Sequence, residues 1–321
     1  MKRPALLSVE GLRIEFLTEA GRVSGVDRVS FDVREGEIVG LAGESGSGKT
    51  TLLHGVLRVL KPPAAVTAGK VVFRGRDVLS MDEEELRRFR WREVSLVMQS
   101  VMNALNPVMT VGRQIGDVIR SHTGLRGGPL LERVAELLSQ VGIAAERMKS
   151  YPHELSGGMR QRVGIAMALA LDPALILMDE PTTALDVIVQ QQILERIQVL
   201  QQKLGFSILL ITHDLALMLD LCSRIGILYA GRLAELADVE ELARNPCHPY
   251  TQGLLRSIPS IARAPGLLRG IPGAPPDLRD PPLGCRFHPR CPQADRRCQT
   301  EEPPFLEVAK DHLAACHRVS P

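Results

Sequence analysis

Glu37-Ile-Val-Gly-Leu-Ala-Gly43-Glu44-Ser45-Gly46-Ser47-Gly48-Lys49-Thr50-Thr51, followed by Leu52-Leu-His-Gly-Val-Leu-Arg-Val-Leu60, places an apolar run, a glycine-rich loop and a helical pattern in immediate succession. Glycines let backbone amides converge at a helix start, where the helix dipole also favours anions, so the loop reads as a phosphate cradle. Lys49 is positioned to reach β- and γ-phosphates and the Thr50 hydroxyl to ligate Mg²⁺, the pairing that nucleoside triphosphate sites use.

Such a loop requires a second magnesium partner and a group that activates water. Ala174-Leu-Ile-Leu-Met-Asp179-Glu180 supplies both at the end of an apolar run. Asp179 is expected to hold Mg²⁺ through water, and Glu180 to act as general base.

Outward from these motifs, further β-type runs occur at 94–99, 206–212 and 224–230, alternating with helical patterns, which predicts an α/β fold. The middle runs are continuously apolar, as in parallel strands covered on both faces. Before residue 40 and after 224 the runs are shorter and turn-linked, predicting flanking antiparallel strands. Between about 100 and 160 the patterns are helical only, with amphipathic stretches at 111–122 and 130–142. Ser80 with Glu83, and Asp238 with Glu241, read as capping boxes. A Pro-rich stretch, 259–282, reads as a linker.

With 39 basic and 37 acidic residues the net charge is +2, so nothing in the total calls for nucleic acid as a partner. The first apolar stretch is cut by Glu10 and Arg13, which argues against a signal peptide, and no run of about 20 apolar residues predicts a membrane span. The expectation is a cytoplasmic protein. Of six cysteines, Cys285, Cys291, Cys298 and Cys316 crowd the C-terminal region, separated by 5, 6 and 17 residues. Four thiols there suit a metal better than disulfides, and the spacing leaves zinc, an iron–sulfur cluster and free thiols open.

Leu155-Ser156-Gly157-Gly158-Met-Arg-Gln-Arg162 resembles the signature of ABC transporter ATPases. Ser156 can cap the following helix, and the glycines bare its amides as a second phosphate surface. The resemblance implies that this surface faces the ATP on the other subunit of a dimer. Gln99 then resembles the Q-loop residue, touching Mg²⁺ and the attacking water. Ala184-Leu-Asp186 resembles the D-loop, His213 the switch histidine contacting the γ-phosphate, and Phe16 the aromatic that stacks on adenine. The family implies a RecA-like core with an antiparallel β subdomain and a helical subdomain, over residues 1–245, with a 246–321 extension.

The stretch after Gln99, Ser100–Thr110, resembles the segment of peptide importers that meets the membrane subunit, with Ser100 departing from the usual Asp. Asn245-Pro-Cys-His248-Pro249-Tyr250-Thr resembles the element marking oligopeptide, dipeptide and nickel importer ATPases, and reads as a structural element in preference to a docking turn. The cysteine block resembles the tail of dipeptide-type members, which implies a [4Fe–4S] cluster on Cys285, Cys291, Cys298 and Cys316, with His288 and His317 as bystanders. The resemblance implies an ATP-hydrolysing subunit at the cytoplasmic face of a membrane. Its partners would be two transmembrane permease subunits, a paralogous ATPase or a second copy, and indirectly an extracytoplasmic substrate-binding protein. Di- or oligopeptides are the implied cargo, with nickel or oligosaccharides as alternatives, and a soluble ABC ATPase outside transport as the rival class.

Overall fold

The computed structural model describes residues 4–19, 21–99, 104–183, 185–258 and 270–319. In chain order its elements are β1 (Ala5–Thr18), β2 (Gly21–Arg34), β3 (Ile38–Ala42), α1 (Lys49–Val56), β4 (Ala64–Phe73), β5 (Arg76–Asp77), α2 (Glu83–Arg92) and β6 (Val94–Val97). There follow α3 (Val111–Thr123), α4 (Gly127–Gln140), α5 (Gly157–Ala168), β7 (Leu175–Asp179), α6 (Val187–Leu204), β8 (Ser207–Ile211) and α7 (Leu215–Leu221). The chain closes with β9 (Arg224–Tyr229), β10 (Arg232–Asp238), α8 (Val239–Arg244), α9 (Pro249–Arg256), α10 (Arg296–Thr300), β11 (Leu306–Ala309) and β12 (His312–Ala314). No described helix is long and apolar enough to cross a membrane. Ser100, Ala184 and the 259–269 part of the Pro-rich stretch lie outside the described residues, and 270–282 forms neither helix nor strand.

Two compact units emerge, one built on residues 34–37 and 80–210, the other on 5–33, 38–79 and 211–321. In the first, β6 and β7 pair in parallel, Val94–Val97 opposite Leu175–Met178, with β8 beside β7. Every residue of β7 and β8 is buried, which is why those runs are apolar without alternation. Helices α3 and α4 join the unit through narrow stripes: Val111, Ile115 and Ile119 of α3, and Val134, Leu137 and Leu138 of α4, are buried at helical spacing. Burying each such side chain contributes roughly 1.5–3 kcal/mol. The cap of α2 is Asp82, not Ser80: Asp82 accepts the Glu85 amide at 2.8 Å and Glu85 reaches back to the Asp82 amide at 2.9 Å. Val78–Ser80 forms a 3₁₀ turn that delays the helix by two residues.

In the second unit one sheet runs β2-β1-β4-β5, and β11-β12-β10-β9-β3 forms another run of strands. β3 and β9 are parallel, β9 and β10 an antiparallel hairpin. The hairpin turn, Ala230-Gly231, has φ of 48° and 82°, left-handed at both positions as two-residue hairpins require. The early strands are longer than expected, at 14 residues each. Charged residues on their exposed side interrupt the apolar pattern without interrupting the strand. The expected box at Asp238 does not close. Asp238 precedes α8 without a side-chain cap, and Glu241 is engaged instead by Asn245 at 3.1 Å.

Glu235, fully buried on β10, anchors the 245–250 turn. Its carboxylate accepts the amides of Cys247 at 2.7 Å and His248 at 2.8 Å, and His312 Nε2 of β12 at 2.7 Å. One carboxylate thus fastens the 245–250 turn and the C-terminal strand to the same hairpin. Burial pushes the Glu235 carboxyl up, but the His312 hydrogen bond and the two amides outweigh it, so it lies below its ordinary 4.5. A lowered folded value means its stabilisation is complete above 4.5 and is lost as pH falls through the folded value. Glu235→Ala orphans three donors and should cost about 3 kcal/mol, lowering the thermal midpoint by on the order of 5 °C at pH 7 and by less at pH 3. An equal loss at both pH values, read by calorimetry, would contradict this.

Candidate functional site

In the second unit, the loop after β3 is held by backbone on every side. Gly43 has φ 150° and a Cβ there would lie 2.1 Å from the Leu228 carbonyl; Gly48, at φ 100°, would meet the Gly25 carbonyl at 2.2 Å. Neither position admits a side chain. The Gly231 amide donates to Ser47 O at 3.0 Å, tying the loop to the β9–β10 turn. Gly48 also starts α1 without a side-chain cap, at a helix start whose dipole favours an anion.

Lys49 is buried, and its ammonium points back into the loop, donating to Gly43 O at 2.7 Å, Glu44 O at 2.9 Å and Ser47 Oγ at 3.2 Å. Ser45 and Gly46 form the exposed rim, and Thr50 and Thr51 are the next residues of α1, Thr50 exposed. Phe16, half-buried on β1, lies against Gly25: a Cβ on that glycine would stand 2.7 Å from the Phe16 ring. The ring, Gly25 and Gly48 are therefore stacked in sequence beside the loop. His213 is exposed, just before Asp214, which caps α7 by accepting the Leu217 amide at 3.1 Å.

The first unit gathers the other predicted residues. Asp179 ends β7 buried. Glu180 follows at φ 46°, a left-handed conformation costing of order 1–3 kcal/mol in a non-glycine residue and concentrated at functional sites. Its Oε2 accepts Thr183 Oγ1 at 2.7 Å and Gln99 Nε2 at 3.2 Å, so strand β7 and the end of β6 meet at this carboxylate. Ser156 caps α5, its Oγ accepting the Met159 amide at 3.3 Å, with Gly157 and Gly158 in the first turn. Gly158 has no room for a side chain, since a Cβ would lie 2.6 Å from Val189 of α6. Asp186 caps α6 through the Val189 amide at 2.9 Å, so these two helix starts are adjusted to each other.

Two residues of the 246–321 segment engage the loop. The Glu44 amide donates to Tyr250 Oη at 2.9 Å, and the Glu44 carboxylate is clasped by Arg290 at 2.6 and 2.9 Å. Tyr250 is fully buried against Tyr229 and Phe287, ring centroids 4.6–5.3 Å apart. His248 completes the group; burial drops it to about 4, leaving Nδ1 to accept the Tyr250 amide.

Backbone bonding ties two of the four tail cysteines. The Cys285 amide donates to Cys298 O at 2.9 Å, and Asp295 caps α10 through the Cys298 amide at 3.0 Å. Pairing of β12 with β10 brings the chain to Cys316. Burial pushes Cys285 up to about 11, with the neighbouring Cys298, Cys316 and Cys291 adding repulsion; Cys291 and Cys316 are raised as well, burial first. No disulfide joins any of the six cysteines. His288 and His317 rest on carbonyls, of Cys285 at 3.0 Å and Glu301 at 2.9 Å. Among the described residues, the one trio of metal-type ligands within 4.8 Å is Glu235, Cys247 and His312, already joined by the bonds described above.

Against known proteins, residues 26–183 match the ABC transporter family model and residues 234–298 the oligopeptide/dipeptide transporter C-terminal region; a AAA domain model also matches 149–220. A putative peptide import ATP-binding protein of Brucella ovis is 44% identical over 99% of this chain and 98% of its own. The dipeptide transport ATP-binding protein DppD of Escherichia coli K12 is 44% identical over 98% and 96%. Among solved structures, the ATP-binding cassette MJ0796, dimeric and bound to ADP and Pi, aligns with TM-score 0.65 and 27% identity, over 73% of this chain and 98% of that one. The fold is thus that of an ABC ATPase cassette. A glycine cradle with a buried lysine, a capped glycine helix start and full-length likeness to such proteins all agree: the chain belongs to the ATP-binding subunits of ABC transporters, in the group bearing the oligopeptide/dipeptide C-terminal region, and is an ATPase.

Proposed function

We propose that this ATPase energises the import of di- or oligopeptides. The observation that carries the reading is likeness across nearly the whole chain, extension included, to proteins named for peptide import and dipeptide transport. Residues 1–245 form the cassette and 246–321 an extension that braces it.

Within the cassette, backbone amides of Gly43–Lys49 cradle the phosphates, Lys49 reaches the β- and γ-phosphates, and Phe16 stacks on adenine. Thr50, Gln99 and Asp179 surround Mg²⁺. Glu180 polarises the attacking water and His213 contacts the γ-phosphate. Ser156, Gly157, Gly158 and Asp186 serve ATP held on a second ATPase subunit, either a paralogue or another copy. ATP closes the pair, and hydrolysis with phosphate release reopens it, driving the two permease subunits between conformations. The 100–110 segment is the contact to the permease; in its described part, 104–110, buried Gln114 accepts the Asn106 amide at 2.8 Å and donates to Asn106 O and Met109 O, with Val108 79% exposed. An extracytoplasmic binding protein would deliver the cargo, placing this chain at the cytoplasmic face of the membrane.

Cys285, Cys291, Cys298 and Cys316 would hold a [4Fe–4S] cluster. Four thiols in one segment suit such a cluster, and burial raises three of them, Cys285, Cys291 and Cys316. When bound, the cluster would cross-link the tail; anaerobically purified protein should carry iron and sulfide in equal amounts.

The test is uptake of labelled di- and oligopeptides by cells whose only copy carries Glu180→Gln. Lost uptake supports peptide import; unchanged uptake, with the variant present at the membrane, moves the cargo to nickel or an oligosaccharide.

A further inference from the structure

We propose that Arg290, carried by the cysteine tail, is a positioning residue for the phosphate loop, neutralising Glu44 so that the loop accepts a polyanion.

The geometry is specific. Glu44 is the second residue of the loop, and its carbonyl receives Lys49 Nζ at 2.9 Å. Its carboxylate would add a negative charge to a loop whose ligand is itself strongly negative. Arg290 closes a two-point fork on that carboxylate, Nη1 to Oε2 at 2.6 Å and Nη2 to Oε1 at 2.9 Å. The guanidinium is itself locked: its side chain is 5% exposed, Nε donates to Pro272 O at 2.8 Å, and it lies 5.7 Å from the Tyr229 ring centre and 5.9 Å from that of Phe287. Glu44 remains 28% exposed, so the arginine covers the carboxylate from the extension's side only. With the Tyr250 hydroxyl on the Glu44 amide, the extension fixes both the backbone and the charge of this one residue. A bidentate, aromatic-packed arginine is a costly arrangement for mere surface attachment, since such forks owe their strength to held geometry.

The consequence is electrostatic and has a sign. Without Arg290 the loop carries an uncompensated charge near the nucleotide phosphates, and MgATP binding weakens by about three- to tenfold at low salt, the size expected of one charge at partial screening. Removing the carboxylate instead leaves the cation, and binding stays equal or tightens.

The experiment compares wild type, Arg290→Gln, Arg290→Lys, Glu44→Gln and the Arg290→Gln/Glu44→Gln pair, measuring affinity for MgATP and for adenosine at low and high ionic strength, with thermal unfolding as a fold check. Support is a MgATP loss in Arg290→Gln that shrinks in high salt, spares adenosine within twofold, is absent in Arg290→Lys, and is reversed within twofold in the pair. A pair as weak as Arg290→Gln, an equal loss of adenosine, or an unchanged Arg290→Gln overturns the proposal. Should Arg290→Gln not fold, Glu44→Gln decides: equal or tighter MgATP binding upholds it and a loss beyond threefold sinks it. This inference rests on 43–51 being the nucleotide loop, and absence of saturable MgATP binding in wild type would refute that assignment separately.

Discussion

Glu180→Gln is expected to bind MgATP within a few fold of wild type while its turnover falls by at least about 100-fold, the lower end of what a positioned general base contributes. The substitution keeps the size of the side chain and the oxygen that can accept from Thr183 and Gln99, which in the native protein lie 2.7 and 3.2 Å from Oε2. What is lost is the charge that draws a proton from water. If hydrolysis reopens the pair as proposed, the variant should accumulate as a dimer with unhydrolysed ATP between its subunits. Phosphate release and light scattering on one sample read both effects. Robust turnover would show that the base is another group, and a monomer with bound ATP would remove the sandwich from the mechanism.

Lys49→Ala should abolish measurable MgATP binding. The ammonium now spends its donors on Gly43 O, Glu44 O and Ser47 Oγ, so it is aimed at the centre of the loop. Two charge-assisted bonds to phosphate at about 1.5–3 kcal/mol each amount to a loss of at least about 100-fold in affinity. The loop itself should persist, because its anchors at Gly43, Ser47 and Gly48 are backbone contacts that the substitution leaves alone. Titration calorimetry with an intact thermal midpoint is the check, and affinity within tenfold of wild type would contradict the role.

What could be read in the sequence follows from the range of each interaction. The strands at 94–97, 175–179 and 207–211 are short and buried on both faces, so composition alone marks them. The loop 43–51 and the helix start at Ser156 are legible because both depend on residues within a few positions of each other. Caps are less secure: Ser80/Glu83 and Asp82/Glu85 satisfy the same i, i+3 pattern, and the 3₁₀ turn at 78–80 chose the second. Glu44 and Arg290, 246 residues apart, or Glu235 and His312, 77 apart, leave no local pattern at all. Their one sequence signal is charge where burial was expected, an arginine between Pro289 and Cys291 and a glutamate inside an apolar strand. The Glu235–His312 pair follows from β10 and β12 lying side by side, and the Arg290–Glu44 pair from the 288–290 turn reaching the loop after β3.

The most direct test of the whole account is phosphate release by the assembled transporter, this chain together with its permease partners in vesicles, with and without a dipeptide delivered by the binding protein. Slow basal hydrolysis should rise several-fold with the peptide and vanish in Glu180→Gln. Hydrolysis indifferent to peptide, from an assembly that still moves it, would contradict the claim that this subunit drives its transport.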